Sequence, residues 1–229
     1  MARKLLLFDL DWTLLYTGGA GLRALNHAYQ VIYGLADAAK GVALDGKTDP
    51  AICREMIRVH QKRQAEALEI QTLCEKYLEQ LAIEVPKSPG FLVLPGIPEL
   101  LQKLEKDSDV ILALGTGNLK RGAEIKLDRP GFWKYFPVGG FSDDSEERPK
   151  VLSAAVRRAE QRAGHPFAPK DVLVIGDTVH DIHAGRAIGA KVLAVACGPT
   201  TSETLAAQKP DYLMKDLSDT SRVIDVMLQ

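Results

Sequence analysis

The stretch Lys4-Leu5-Leu6-Leu7-Phe8-Asp9-Leu10-Asp11-Trp12-Thr13 decides the fold. Its apolar run offers no polar face, as expected of a parallel strand buried on both sides, and it ends in two aspartates one residue apart. Four apolar residues cannot span a bilayer, and no small-residue cleavage site follows, so neither a membrane span nor a leader is predicted. Similar runs recur at 110–114, before Gly115-Thr116-Gly117-Asn118; at 172–175, before Gly176-Asp177; and at 192–196, before Gly198-Pro199. Between and after them lie stretches of helical period at 99–106, 150–163, 181–188 and 218–228. Strand alternating with helix predicts an α/β protein with a Rossmann-like parallel sheet.

One interval breaks the alternation. Between residues 14 and 90 no comparable strand is visible, but three helical patterns are. Leu22, Leu25, Tyr29, Ile32 and Tyr33 share one face of the first; Ile52, Met56 and Val59 mark the second; Ile70, Leu73, Cys74, Tyr77, Leu78 and Leu81 mark the third. Thr48 or Asp49 before Pro50 suits a helix start, and 86–90, rich in Pro and Gly, reads as a return linker. At roughly 150 residues per domain, 229 residues leave room for a core and a smaller appendage. The expected division is a core of 1–14 and 89–229 with an inserted all-helical unit at 15–88.

The overall charge excludes little but points away from some partners. Lys and Arg number 29 against 30 Asp and Glu, so overall basicity gives no case for nucleic-acid binding. Three cysteines, widely spaced and without a CxxC pair, suggest a reduced cytoplasmic protein without a thiolate zinc site.

In a parallel sheet, ligands gather at the carboxyl ends of the strands. There this sequence places Asp9 and Asp11, Thr116, Gly117 and Asn118, and Asp177 and Asp181. Four converging aspartates repel one another unless a cation neutralises them, and Mg²⁺, which prefers carboxylate oxygen and commonly shares its site with phosphate, is the economical choice. For that phosphate, Thr116 supplies a hydroxyl, Gly117 an amide at a helix start, and Lys150 a positive charge.

Asp9-Leu10-Asp11-Trp12-Thr13, Thr116, Lys150, and Gly176-Asp177 with Asp181 resemble, in order, the four motifs of the haloacid dehalogenase superfamily. The helical insertion resembles its alpha-helical cap, as in phosphoglycolate-phosphatase-like members. The resemblance implies that Asp9 is the nucleophile and Asp11 the acid and then the base. It implies Mg²⁺ held by Asp9, the Asp11 carbonyl, Asp177 and Asp181, with Thr116, Gly117 and Lys150 on the phosphoryl oxygens and Asn118 orienting Asp11 or substrate. An aspartate at position 11 separates this chain from the dehalogenating and phosphonate-cleaving branches. Trp12 departs from the family, which usually has glycine there, and bears on the entrance. The implied function is a phosphatase for a small phosphomonoester, phosphoglycolate first, with a sugar-phosphate mutase or a non-enzymatic partner-binding protein as alternatives.

Gly41-Val42-Ala43-Leu44-Asp45-Gly46-Lys47-Thr48 also matches the P-loop pattern of nucleotide-binding kinases. A P-loop must follow a buried strand, whereas 35–40 is alanine-rich and polar. Gly46-Lys47-Thr48-Asp49 resembles instead the cap loop that closes over the site, with Lys47 placed to contact an anionic leaving group. His180 and His183, beside the aspartates, read as a hydrated helix face.

Overall fold

The computed structural model describes residues 3–44 and 46–229, so Asp45 of the P-loop-like string lies outside the described residues. In chain order the elements are β1 (Lys4–Phe8), β2 (Leu15–Thr17), α1 (Ala20–Tyr33), α2 (Asp49–Gln61), α3 (Ala67–Lys87), β3 (Phe91–Val93), α4 (Ile97–Leu104), β4 (Val110–Gly115) and α5 (Lys120–Asp128). There follow β5 (Val138–Gly140), α6 (Arg148–Ala163), β6 (Val172–Gly176), α7 (Val179–Ala187), β7 (Lys191–Val195), α8 (Ser202–Ala207), β8 (Tyr212–Met214) and α9 (Thr220–Met227).

A six-stranded sheet runs in the order β5-β4-β1-β6-β7-β8, every neighbouring pair parallel. The first strand lies between β4 and β6, with Leu6 opposite both Leu112 and Leu173. Successive side chains of a strand point to opposite faces. Leu6 and Phe8 therefore join one layer, under α4, α5 and α9, while Leu5 and Leu7 join the other, under α6 and α7. That two-sided burial is why the strands read as unbroken apolar runs.

The intervening helices α1, α2 and α3 close around a separate apolar cluster that includes Tyr29, Ile52, Met56, Leu73, Tyr77 and Leu81. Of the residues expected on its inner faces, Leu22 and Val59 are exposed instead. Cys53 and Cys74, 21 positions apart, meet there with their sulfurs 3.6 Å apart and are free thiols. Residue 86 is not in a linker: α3 continues through Pro86 to Lys87. Pro86 has no amide to give the Ala82 carbonyl, and the helix ends one residue later, at Lys87.

The expected absence of strand after residue 14 is also corrected. β2 pairs antiparallel with β3 as a two-stranded ribbon, through which the chain leaves and re-enters the sheet unit. Just beyond it the two crossings touch: a Cβ on Gly18, whose φ is +65°, would lie 2.3 Å from the carbonyl carbon of Gly90. Only glycine satisfies both the left-handed backbone and that approach. No helix among the described residues is long and apolar enough to cross a membrane.

Candidate active site

β1, β4 and β6 end side by side, and the residues just beyond them converge. Asp9, Asp177 and Asp181 are buried and each offers a carboxylate oxygen within 4.8 Å of the others. α7 opens on a capping box in which Thr178 is the N-cap and Asp181 is N3. Asp181 Oδ2 accepts from the Thr178 amide (3.1 Å) and hydroxyl (2.6 Å). The capping box occupies one Asp181 oxygen, and the other, Oδ1, accepts from Arg148.

Arg148 is where the structure departs from the sequence reading. Lys150 does not enter the site: its side chain is 64% exposed, and its ammonium pairs with Glu147 at 2.6 Å. Arg148, the first residue of α6, is 8% exposed, and its Nη2 donates to Asp9 Oδ1 at 3.3 Å as well as to Asp181. Two positions on an α-helix turn the side chain by about 200°, so only one of these cations can face the aspartates. Proline is accepted early in a helix, and Pro149 in the first turn fixes where α6 begins.

A second buried cation escaped the sequence reading. Lys126 lies on the same buried face of α5 as Gly122, four residues earlier. Its Nζ lies 2.6 Å from both Asp11 Oδ2 and Asn118 Oδ1. Asn118 Nδ2 donates to the same Asp11 oxygen (2.9 Å) and to Thr116 Oγ1 (2.9 Å). Asp11 is thus gripped through one oxygen and sits apart from the carboxylate triad. The only signal in sequence was a lysine on an otherwise apolar helix face.

The electrostatics follow from burial. Desolvation raises the Asp9 carboxyl to about 7, against the pull of Arg148 and with Asp181 and Asp11 adding to the rise. Asp177 is pushed further, to about 9, by burial and then by Asp181, Asp9 and Asp11. Were all three carboxyls ionised, one guanidinium would leave a buried surplus of negative charge, and the all-oxygen donor set fits a hard divalent cation. His180 and His183 are not part of this group: His180 packs on Gly46, and His183 meets Gln208 at 3.1 Å.

The helical unit covers the site. Asp49 N–H donates to the Gly117 carbonyl (2.8 Å), and Asp49 Oδ2 accepts from the Leu119 amide (2.8 Å). A Cβ on Gly117 would lie 2.5 Å from the Lys47 carbonyl oxygen, so this contact needs glycine. Arg54 adds a bidentate pair to Glu146 at 2.6 and 3.1 Å. The described residues of 41–48 follow α1 rather than a strand, which removes the structural basis of a P-loop.

Between the two units lies a cavity of about 290 Å³, lined by residues that include Asp9, Asp11, Gly117, Asn118, Lys47 and Asp177. Trp12 forms part of its wall with φ +57°, a left-handed conformation that costs a non-glycine residue about 1–2 kcal/mol. Its ring stacks on Tyr16 at 4.1 Å with 17° between planes.

Comparison with known proteins agrees with this geometry. A family model described as haloacid dehalogenase-like hydrolase matches residues 6–195. A phosphoglycolate phosphatase of Synechococcus elongatus is 26% identical over 141 residues, 62% of this chain and 63% of that protein, so this chain spans under two thirds of it. A protein named pyrophosphatase PpaX of Bacillus mycoides is 28% identical over 225 residues, 93% of each chain. The crystal structure of a hydrolase from Pseudomonas syringae superposes with a TM-score of 0.75 at 21% identity, covering 99% of this chain and 100% of that one.

Proposed function

This chain belongs to the haloacid dehalogenase-like hydrolase family, and from that premise we propose that it is a Mg²⁺-dependent phosphatase, hydrolysing a small phosphomonoester through an aspartyl-phosphate on Asp9. The observation that carries the reading is the convergence of the Asp9, Asp177 and Asp181 carboxylates, two of which, Asp9 and Asp181, share one buried guanidinium, with Asp11 held separately by Lys126 and Asn118.

In the first half-reaction an Asp9 oxygen attacks phosphorus in line, the bond to the ester oxygen breaks, and Asp11 gives that oxygen its proton. In the second, Asp11 takes a proton from water, whose oxygen attacks phosphorus and frees Asp9. One carboxyl serves both halves because it is deprotonated by the first and restored by the second. Arg148 takes the part expected of Lys150: with the Thr116 hydroxyl and the Gly117 amide it stabilises charge on the phosphoryl oxygens, where transfer needs it most. Asp9, Asp177, Asp181 and the Asp11 carbonyl would hold the metal ion, which when bound neutralises the carboxylates and the phosphoryl group. The helices between the two ribbon crossings act as a cap, 15–88 in the expected division, that excludes water and selects the ester. Three free thiols suit a reducing cytoplasm.

Phosphoglycolate, supported by the name of the Synechococcus relative, heads the panel for assay. With Mg²⁺, phosphate release that EDTA stops and Asp9→Asn reduces by more than about 10³-fold is expected, the scale on which loss of a nucleophile is felt. Isomerised sugar phosphate without release would make the chain a mutase. Inertness toward every ester would make it a binding protein.

A further inference from the structure

Part of the cavity wall is made by Trp12, Tyr16, Leu22, Leu25, Ile52 and Tyr77. It is aromatic and aliphatic, unlike a site for a small organic acid. A substrate carboxylate would need a cation, but the two buried ones are engaged, Arg148 by Asp9 and Asp181, and Lys126 by Asp11 and Asn118. Lys47, on the loop that meets Gly117, also lines the cavity; nearby Glu55 is lowered first by its bidentate pair with Arg58 and only last by Lys47. The volume, about 290 Å³, is at the small end for ligand pockets and suits a phosphate with one ring.

Two further features point to a ring. Trp12 holds a left-handed backbone that favours glycine, and it stacks on Tyr16 at 4.1 Å to form a flat wall. Tyr77 is 2% exposed and lines the cavity, and its hydroxyl makes no hydrogen bond with the described residues. An uncharged polar group is thus offered to the ligand beside the apolar surface.

We infer that the ester this site accepts carries a single flat aromatic ring on its leaving group, packed against the Trp12–Tyr16 stack. The inference rests on the phosphatase reading for the position of the phosphoryl group and departs from it in favouring a ring over glycolate.

The test is calorimetric binding of benzylphosphonate, methylphosphonate and phosphonoacetate to the Mg²⁺-supplemented protein, beside turnover of benzyl phosphate, phosphoglycolate and glucose 6-phosphate. Benzylphosphonate is expected to bind about tenfold more tightly than either of the others. Trp12→Gly relieves the backbone while removing the wall, and Tyr16→Ala removes the ring behind it. In each variant that folds, the preference should fall toward unity. Equal affinities, a preference for phosphonoacetate, or a ring preference that survives both substitutions would overturn the inference. Turnover of glycolate or hexose esters without ring preference leaves the phosphatase standing and the ring site refuted. Ring-selective binding without turnover of any ester does the reverse.

Discussion

Replacing Arg148 with methionine removes the positive charge from a buried cluster of negative ones. At 3.3 Å and an effective dielectric near 20, the attraction between its guanidinium and Asp9 is about 5 kcal/mol. The desolvation of the arginine offsets part of this, but Asp9 and Asp181 are left buried without a counter-charge, and breaking such a pair from one side costs about 3–5 kcal/mol. Turnover should fall about 10²–10³-fold, the loss seen when a donor to a developing oxyanion is removed. Lys150→Met is the control: an exposed i,i+3 pair with Glu147 contributes about 0.3–0.5 kcal/mol, so turnover should stay within about twofold. Arg148→Lys should fall between, since a single nitrogen, Nη2, meets both carboxylates and an ammonium keeps the charge but on a shorter side chain of different shape. Urea denaturation reports the stability and phosphate release with Mg²⁺ the turnover. Equal losses from Arg148→Met and Lys150→Met, or less than about a threefold loss from Arg148→Met, would refute the assignment of the cation.

Other consequences can be checked alongside. Lys126→Met frees Asp11 to leave its position, and a misplacement of about 1 Å can cost roughly 10²-fold, so kcat should fall by that order with KM little changed; a rise in KM alone would contradict it. Asp177 titrates near 9 in the fold against an ordinary 3.8, so between those values the folded chain holds a proton the unfolded chain has lost, and stability falls as pH rises. Mg²⁺ must displace that proton, so its gain in Tm should grow from pH 6 to pH 9; a flat profile would count against the ligand set. Gly117→Ala puts a methyl 2.5 Å from the Lys47 carbonyl oxygen, and should raise KM and hydrogen exchange at 47–49 while leaving the sheet protected.

What could be read in advance follows from where side chains point. β1, β4, β6 and β7 are buried on both faces and could not be mistaken for amphipathic helix, and the aspartates beyond β1 and β6 were visible because polar residues interrupt apolar runs there. β2, β3 and β8 are three residues each, and their pairing is set by partners far along the chain, as with Leu15 and Val93. Arg148 and Lys150 are both basic and flank one proline, so composition could not choose between them; the start of α6 does. Lys126 is 115 residues from Asp11, and nothing in the order of residues announces that the two meet.

The central position of β1 has a consequence for synthesis. Leu5 pairs with Ile111 on one edge and with Val172 on the other, so the strand that leads into Asp9 is made early and enclosed late. At about 5–20 residues per second, the interval between its emergence and that of β6 is on the order of ten seconds. Until β4 emerges, Leu5 to Phe8 is an unpaired apolar segment, and one edge of it stays open until β6 follows, while the contacts among α1, α2 and α3 are already available. The helical unit can therefore form first on the ribosome, and the reaction centre closes only when the last strand beside β1 arrives.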